Sequence, residues 1–323
     1  MFVGSHKLGY GWTMTDLRAL VQLERLVAAE RELLGAFEVE SSSEFAALRI
    51  DEIRLSCALA GIAMAREDVA ALVLRGVATG TRALDDIILV ADYAQAAAYV
   101  AASSKAGLRR RFVTVEEIVE LHTRALRRVP AARPGQWRRT TVPAFASGMV
   151  APPAWLVPRD VERYADRIGS GPPPGESVFL WVAAAHERFL RIQPFARGNG
   201  RVGRLLANLL LRRVDLPPFF VSTRERTRYY RALRDADARD HVPLATLIAR
   251  SLLANMRRLL AAVDRRDEFV ALAELAEPQE REALYKAAQR GRLRTVRRGG
   301  TVLTTRAYID AYRASRSAAG RRA

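Results

Sequence analysis

The sequence contains very little cysteine, lysine and histidine. Cys57 is the only cysteine, which excludes an internal disulfide and a thiolate metal cluster. A lone cysteine among alanines and leucines is typical of a small buried hydrophobic residue. Lys7, Lys105 and Lys286 are the only lysines, so nearly all of the positive charge is carried by arginine.

Long apolar runs are also missing. No segment approaches the roughly 20 apolar residues that span a bilayer, and the N-terminus has no signal-peptide pattern. We therefore expect a cytoplasmic protein without a membrane partner. Half of the 323 residues are hydrophobic, and alanine, leucine and arginine dominate, which favours long helices around a substantial core.

The net charge of +17 is unevenly distributed along the chain. From Arg281 to Ala323 there are 12 basic and two acidic residues, a difference of +10 within 43 residues. Such a basic segment indicates a polyanionic partner, with nucleic acid favoured over a membrane surface. The alternative is an arginine-rich composition with a frayed basic tail.

Hydrophobic periodicity predicts a mainly α-helical fold with a small C-terminal winged-helix-like domain. The proline, glycine and β-branched residues between the helices of the core predict a short β-hairpin or an irregular flap. Residues 1–14 are predicted to be a flexible N-terminus, with Met1 and Met14 as alternative starts of translation. An N-terminal helical region follows at 15–110. The core domain is predicted at 111–263, and a basic helix-turn-helix-like domain with a tail at 264–323.

The stretch QPFARGNGRVGR, residues 193–204, precedes an apolar helix. Glycines before a helix let the free backbone N–H groups of its first turn approach a ligand, and such amides bind phosphate. Arg201 and Arg204 stand three residues apart, a spacing suited to bidentate contacts with phosphate oxygens. The stretch therefore predicts an anion site, with a purely structural turn as the alternative.

This stretch resembles the signature of the Fic (Fido) family, H-x-F-x-[D/E]-G-N-G-R-x-x-R. The segments PGQWRRTTV, AAHERFLRI and YYRAL extend the resemblance to roughly residues 40–260. It implies a helical core with a hairpin flap, and it makes a homodimer an expectation. In active members it implies AMPylation, the transfer of AMP from ATP to a protein hydroxyl, with the motif histidine as base and the acidic residue as the Mg²⁺ ligand.

Two residues depart from this signature. Gln193 stands in the place of the histidine, and an amide cannot accept a proton near neutral pH, so any catalytic role for it is doubtful. Arg197 replaces the acidic residue and cannot hold Mg²⁺, so we expect no metal site. We still expect ATP, another nucleotide or another phosphate ligand to bind without the metal. The residues predicted to bind it are Arg197, Gly198, Asn199, Gly200, Arg201 and Arg204.

A third departure lies upstream. Many Fic proteins carry an inhibitory helix with the pattern [S/T]-x-x-x-E-[G/N], and here the aligned residues are Ser56, Ala60 and Gly61, without the glutamate. An inhibitory glutamate would have no role in a protein that has lost AMP transfer. His122 and His186 are expected to be packed core residues rather than substitute bases.

The C-terminal segment reads as helix, helix, hairpin, with the hairpin turning on Gly299-Gly300. In helix-turn-helix proteins the second helix enters the major groove of DNA. A protein-docking or merely stabilising domain is the alternative. The residues predicted to contact nucleic acid are Lys286, Gln289, Arg290, Arg292, Arg294, Arg297 and Arg298.

These features together predict a pseudoenzyme that binds a nucleotide and acts as a ligand-responsive DNA-binding regulator. One alternative is a Fic-fold enzyme of altered transferase or lyase chemistry, acting on a phosphorylated or nucleotide substrate. Residual protein adenylyltransferase activity is another. The ligand, the target protein and the DNA sequence stay open.

Overall fold

The structure is a computed structural model that describes residues 7–8, 12–34, 42–80, 82–103, 111–145, 147–266 and 269–320. It is mainly α-helical, as the sequence predicts. Residues 1–6 and 9–11 of the predicted flexible N-terminus lie outside the described residues. Within the first half, two short strands and four helices are described: β1 (Lys7–Leu8), β2 (Trp12–Thr13), α1 (Met14–Leu34), α2 (Ser43–Leu59), α3 (Arg66–Arg75) and α4 (Leu84–Ala102).

The second half contains the remaining helices and a small sheet. The helices of its first part are α5 (Val115–Ala125), α6 (Val157–Gly169), α7 (Val178–Ile192), α8 (Asn199–Arg212), α9 (Arg226–Asp237) and α10 (Val242–Arg266). The elements that follow are β3 (Val270–Ala271), α11 (Leu272–Leu275), α12 (Arg281–Gln289), β4 (Val296–Arg298), β5 (Thr301–Thr304) and α13 (Arg306–Gly320). No described helix has an apolar stretch long enough to cross a lipid bilayer.

The chain divides into two compact units. The larger contains the described residues of 1–22 and 48–252, and the smaller contains those of 23–47 and 253–323. The four-part division made from the sequence stays a prediction.

Helix α8 is the centre of the larger unit, where it packs against α4, α5 and α7. Its leucines, from Leu205 to Leu211, are buried. A helix that is apolar on nearly all sides is stable only when other helices surround it. The N-terminus of α8, which carries the glycine-rich stretch, is therefore held on a rigid element.

A capping box starts α5. The side chain of Thr114 accepts a hydrogen bond from the backbone N–H of Glu117 at 3.3 Å. The carboxylate of Glu117 accepts one in return from the backbone N–H of Thr114 at 3.0 Å. This capping box satisfies two N–H groups that would otherwise have no partner, and it begins the helix at Val115.

The expected flap between α5 and α6 takes an irregular form. Its described part contains no strand ladder, and the backbone N–H of Phe145 donates to the carbonyl of Met149 at 2.8 Å to close a turn. The prolines of this segment lack the N–H groups that a ladder needs. One side chain, that of Arg138, fixes the segment instead, as described below.

The smaller unit contains an antiparallel sheet of three strands in the order β3-β5-β4. Strands β4 and β5 form the hairpin predicted at Gly299-Gly300, with Arg298 opposite Thr301. Both glycines have positive φ, 55° and 84°, as a two-residue turn of this kind requires. Leu284 and Ala287 of α12 are buried, so its opposite face is open.

Candidate functional site

The loop between α7 and α8 begins with Gln193 in a left-handed conformation. Its φ of 44° ends α7 at Ile192, two residues before Pro194. The Gln193 side chain is buried, and its amide nitrogen lies 3.5 Å from the carbonyl oxygen of Met149 in the flap. The Gln193 side chain is thus covered by the flap.

Asn199 holds the loop closed from within. Its side-chain oxygen accepts from the backbone N–H of Phe195 at 3.0 Å, and its amide donates to the Phe195 carbonyl at 2.7 Å. Gly198 has φ of 83°, and a Cβ there would stand 2.4 Å from a methyl group of Leu126. Only glycine fits this position. As the N-cap of α8 it has no side chain to occupy the amides of the first turn.

His122 supports the loop from α5. Its Nδ1 accepts from the backbone N–H of Gly135 at 2.9 Å, so Nε2 carries the proton and donates to the Arg197 carbonyl at 3.1 Å. The ring stacks on Phe195 with centroids 3.6 Å apart. Burial lowers the pKa of His122 to about 4. It is a neutral structural residue with both nitrogens engaged.

Arg138 fastens the flap to the same loop. It is only 3% exposed, and its Nε donates to the carbonyl of Gln193 at 2.7 Å. The two terminal nitrogens donate to the carbonyls of Thr140 at 3.0 Å and Pro152 at 2.5 Å. The Arg138 backbone N–H donates to the Pro194 carbonyl at 2.9 Å. One buried cation therefore connects both ends of the flap to the loop.

The two signature arginines of α8 are largely buried. Arg204 donates from Nε to the Ser56 hydroxyl at 2.7 Å and from Nη2 to the Ser56 carbonyl at 2.8 Å. Its Nη1 lies 3.4 Å from where a Cβ would stand on Gly200, so this group faces the first turn of α8. Nη1 of Arg201 is shielded from solvent and has no hydrogen-bond partner in the described part of the chain. Ala60 and Gly61 lie just beyond the end of α2.

Glu52, which the sequence analysis did not single out, is a buried carboxyl next to α8. Glu52 of α2 accepts from the Asn208 side chain at 2.9 Å and from the Tyr93 hydroxyl at 3.5 Å. Burial raises the pKa of Glu52 to about 7, and the Asn208 hydrogen bond and the charges of Arg49 and Arg204 lower it by less. The sequence of α2 gives no sign that Glu52 is buried, because its burial depends on how α2 packs on α8.

Arg197 is the exposed member of the loop. A guanidinium donates hydrogen bonds and has no oxygen for Mg²⁺. In the described ranges, no three His, Cys, Asp or Glu side chains are close enough together to hold a metal ion. The donor set at this loop therefore does not fit the Mg²⁺ that the family resemblance implies.

Both ring nitrogens of His186, the second core histidine, are also hydrogen-bonded. His186 is 1% exposed, and its Nδ1–H donates to the Gly203 carbonyl at 3.0 Å. Its Nε2 accepts from the Tyr229 hydroxyl at 2.7 Å. Burial lowers the pKa of His186 to about 3. This ring joins α7, α8 and α9 and has no nitrogen left to act as a base.

Two aromatic rings border the first turn of α8. The Phe145 ring lies 3.4 Å from where a Cβ would stand on Gly200, and its centroid is 6.2 Å from that of Tyr230. The Arg226 guanidinium lies 5.8 Å from the Tyr230 ring centre. Backbone amides, arginine nitrogens and aromatic faces thus meet at one place.

The residues predicted to contact nucleic acid are not equivalent. Lys286, Gln289, Arg290, Arg292 and Arg297 are exposed in the smaller unit. Lys286 forms an ion pair with Glu282 at 2.5 Å.

Arg294 instead turns inward. It lies 3.5 Å from the Glu30 carboxylate and 5.8 Å from the centre of the Tyr308 ring. The side chain of Arg298 lies outside the described residues. The sequence gives no signal that separates Arg294 from its exposed neighbours, because the glutamate it meets is 264 residues away.

The chain is similar in sequence to a known protein family. Residues 112–211 match the Fic/DOC family model. Over 137 residues the chain is 34% identical to "Protein adenylyltransferase Fic" of Drosophila willistoni and of Drosophila grimshawi. These segments cover 42% of the chain but only 27% and 28% of the two relatives, so the chain matches less than a third of their length.

Solved structures show the same fold. Fic-1 of C. elegans superposes with a TM-score of 0.65 and 21% identity, covering 78% of this chain and 74% of that one. A Fic domain containing signaling protein from Bacteroides thetaiotaomicron gives 0.67 at 18% identity, covering 75% and 97%. A Fic family protein from Desulfovibrio desulfuricans gives 0.60 at 21%, covering 94% and 98%. Residues 112–211 therefore match the Fic/DOC family, and the chain shares the fold of these Fic structures.

Proposed function

We propose that the chain binds a nucleotide or another phosphorylated small molecule at the N-terminus of α8 and does not carry out ordinary AMP transfer. The proposal is supported by a glycine-rich loop that leaves the N-terminus of α8 without a side-chain cap, together with the lack of a free basic side chain among Gln193, His122 and His186. Gly198 and Asn199 hold the loop in a form that leaves the first-turn amides available. Gln193 cannot take a proton, and both nitrogens of His122 and of His186 are engaged.

The roles of the residues follow from their groups. The first-turn amides and Nη1 of Arg204 would contact phosphoryl oxygens, and the free donor of Arg201 would add a charge-assisted bond. Phe145 and Tyr230 offer aromatic faces to a nucleotide base. Arg197, exposed at the edge of the loop, would neutralise phosphate charge without a metal.

Calorimetry with ATP, ADP and AMP, with and without Mg²⁺, tests this proposal. We expect affinity for ATP that does not depend on Mg²⁺, and a loss of about tenfold in Arg197→Ala, or about 1.4 kcal/mol. Arg188→Ala, an exposed arginine of α7, is the matched control. Absence of nucleotide binding in every condition, or binding that requires Mg²⁺, would contradict the proposal.

We further propose that the smaller unit binds DNA and that the nucleotide regulates it. Support comes from its element order, helix, strand, helix, helix, strand, strand, which is that of a winged helix, and from the exposed basic residues of α12 and the hairpin. DNA binding should weaken in Arg290→Ala/Arg292→Ala and survive Arg201→Ala. Nucleotide should change the DNA affinity of the wild type and leave that of Arg201→Ala unchanged. A cytoplasmic location and a homodimer stay predictions, and the target protein stays open.

A second candidate is catalysis, favoured by the name adenylyltransferase that the two Drosophila relatives carry. Either residual AMP transfer or altered chemistry on a phosphorylated substrate would require turnover that Arg201→Ala abolishes. We expect wild type to transfer no AMP to protein, and Gln193→His/Arg197→Asp to gain Mg²⁺-dependent transfer, since the base is worth about 10²–10⁴ in rate. Robust transfer by the wild type, followed as an AMP mass shift, would favour the enzyme.

A further inference from the structure

Helix α9 and the turn before it carry an unusually basic surface. It lies in the larger unit, apart from the basic C-terminal residues considered above. In the described part of the chain, none of its exposed arginines has a carboxylate within ion-pair distance. These arginines are Arg224, Arg226, Arg228, Arg231 and Arg234.

The spacing places three of these side chains in one row. Arg228 and Arg231 are three residues apart and Arg234 follows after three more, a rise of about 9 Å along α9. Arg224 lies in the turn just before the helix. The opposite face, formed by Tyr229 and its helical neighbours, is buried. The arginines therefore project to solvent together.

Another helix of the same unit shows that this is not a general consequence of arginine content. On α6 the exposed arginines alternate with acidic residues, and Arg159 pairs with Asp160 at 3.0 Å. Asp166 of α6 pairs with Arg111 at 2.7 Å. Glu225, in the turn before α9, accepts from Ser222 at 2.8 Å, and Asp237 of α9 pairs with Arg191 at 2.7 Å. Asp235 is the other acidic residue of α9, and in the described residues it forms no ion pair with the arginines. The charge of the α9 row is left unbalanced.

The side chains exposed on this face indicate which class of partner it can bind. Stable protein interfaces have a core of apolar and aromatic anchors. The large hydrophobic side chains that are exposed in the described residues all lie off α9. A row of guanidinium forks without such anchors matches closely spaced phosphates instead.

We propose that the exposed arginine row of α9, residues Arg224 to Arg234, binds the phosphate backbone of a nucleic acid without reading its sequence. This contact is separate from the DNA-binding surface proposed for the smaller unit. It would hold a nucleic acid on the Fic domain itself. Its failure would leave the proposed nucleotide site and the proposed winged helix untouched.

The test measures nucleic-acid affinity against salt for the full chain, using fluorescence anisotropy with a 20-base-pair DNA duplex and a 20-nucleotide RNA of random sequence. Arg228→Gln/Arg231→Gln is the test variant. Arg163→Gln/Arg167→Gln on α6 removes the same charge from exposed positions and is the matched control. Losing two phosphate contacts should lower the slope of log K against log salt by about 2 and the affinity at 0.15 M salt by about 10- to 30-fold.

A reduced slope in the α9 variant alone, restored by Arg228→Lys/Arg231→Lys, would support the proposal. Equal losses in the α9 and α6 variants would overturn it, because net charge rather than this row would then be responsible. An unchanged slope in both, or no binding by the wild type, would also overturn it. The proposal would also be overturned if the α9 variant lost binding to poly-glutamate but kept its binding to nucleic acid. Unfolding midpoints of all variants confirm that each is folded.

Discussion

The loop before α8 and the outer face of α9 belong to the same unit and are both rich in arginine, yet they use it in opposite ways. In the loop region, Arg138 and Arg204 are 3% and 4% exposed and donate to carbonyls and a hydroxyl of the chain itself. On α9, Arg228 and Arg231 point to solvent with no acidic partner in the described residues. The first pair stabilises the site, and the second is available to a partner.

The difference arises from what surrounds each side chain rather than from the residue type. Helix ends and irregular flap backbone leave carbonyl oxygens without partners, and an arginine that reaches several of them can be buried. The sides of a helix offer no such oxygens, because its carbonyls bond within the helix. Substitutions should therefore be costly for stability in the loop and nearly neutral on α9.

The largest loss of stability is expected for Arg138→Ala. It would leave the carbonyls of Gln193, Thr140 and Pro152 without their donor, and we expect the free energy of unfolding to fall by about 3–5 kcal/mol. Urea unfolding followed by circular dichroism measures this change. Arg139→Ala, the exposed neighbour, should change it by less than about 0.5 kcal/mol. Similar losses in the two variants would mean that Arg138 is not a special anchor.

The next effect concerns Glu52 and depends on pH. Its pKa is about 7 in the folded chain against an ordinary 4.5, so between these values the folded state binds the extra proton. The free energy of unfolding then falls as pH rises from about 4.5 to 7, by about 3 kcal/mol in total. Glu52→Gln does not titrate and should gain about this much over the wild type at pH 8 while matching it at pH 5.

Urea unfolding at pH 5, 6, 7 and 8 gives this profile. Glu162→Gln on the exposed face of α6 is the control and should follow the wild type throughout. A constant difference between Glu52→Gln and the wild type at all four pH values would show that the carboxyl does not titrate in this range.

A smaller loss is expected for Ser56→Ala. The Nε of Arg204 would lose its hydroxyl acceptor while the Ser56 carbonyl still holds Nη2, so one charge-assisted hydrogen bond is removed. We expect the free energy of unfolding to fall by about 2 kcal/mol. Thermal unfolding against Ser170→Ala, an exposed serine, measures it. If Ser56→Ala were as stable as that control, α2 would not restrain Arg204 through this contact.

The smallest effect on stability is expected on α9. Arg228→Gln/Arg231→Gln removes two exposed charges without altering packing, so the free energy of unfolding should change by less than about 0.5 kcal/mol. The same preparations that serve for nucleic-acid binding can be used for urea unfolding. A loss of more than about 2 kcal/mol would show that Arg228 and Arg231 stabilise the fold as Arg138 and Arg204 do, which would contradict the difference between α9 and the loop.

Local patterns predicted much of the fold correctly. The predicted hairpin at Gly299-Gly300 is confirmed, and the capping box of Thr114 and Glu117 and the positive φ of Gly198 are equally local features, because each depends on residues within a few positions of one another. The form of the flap was less predictable, because it depends on Arg138, which reaches carbonyls 14 and 55 residues away. Arg138 and Arg139 are adjacent residues of the same type, so the sequence does not indicate which of the two is buried.

The sequence by itself determined the resemblance to the Fic signature, the presence of Gln193 and Arg197 at two of its positions, the helical fold and the excess of arginine, since these depend on residue identity and local periodicity. Only the tertiary structure decided which arginines are structural and which face solvent. It alone brought Ser56 to Arg204 across 148 residues and enclosed Glu52 beneath α8. Burial and long-range hydrogen bonds arise when distant segments pack, and these set the charge state and availability of every side chain at the site.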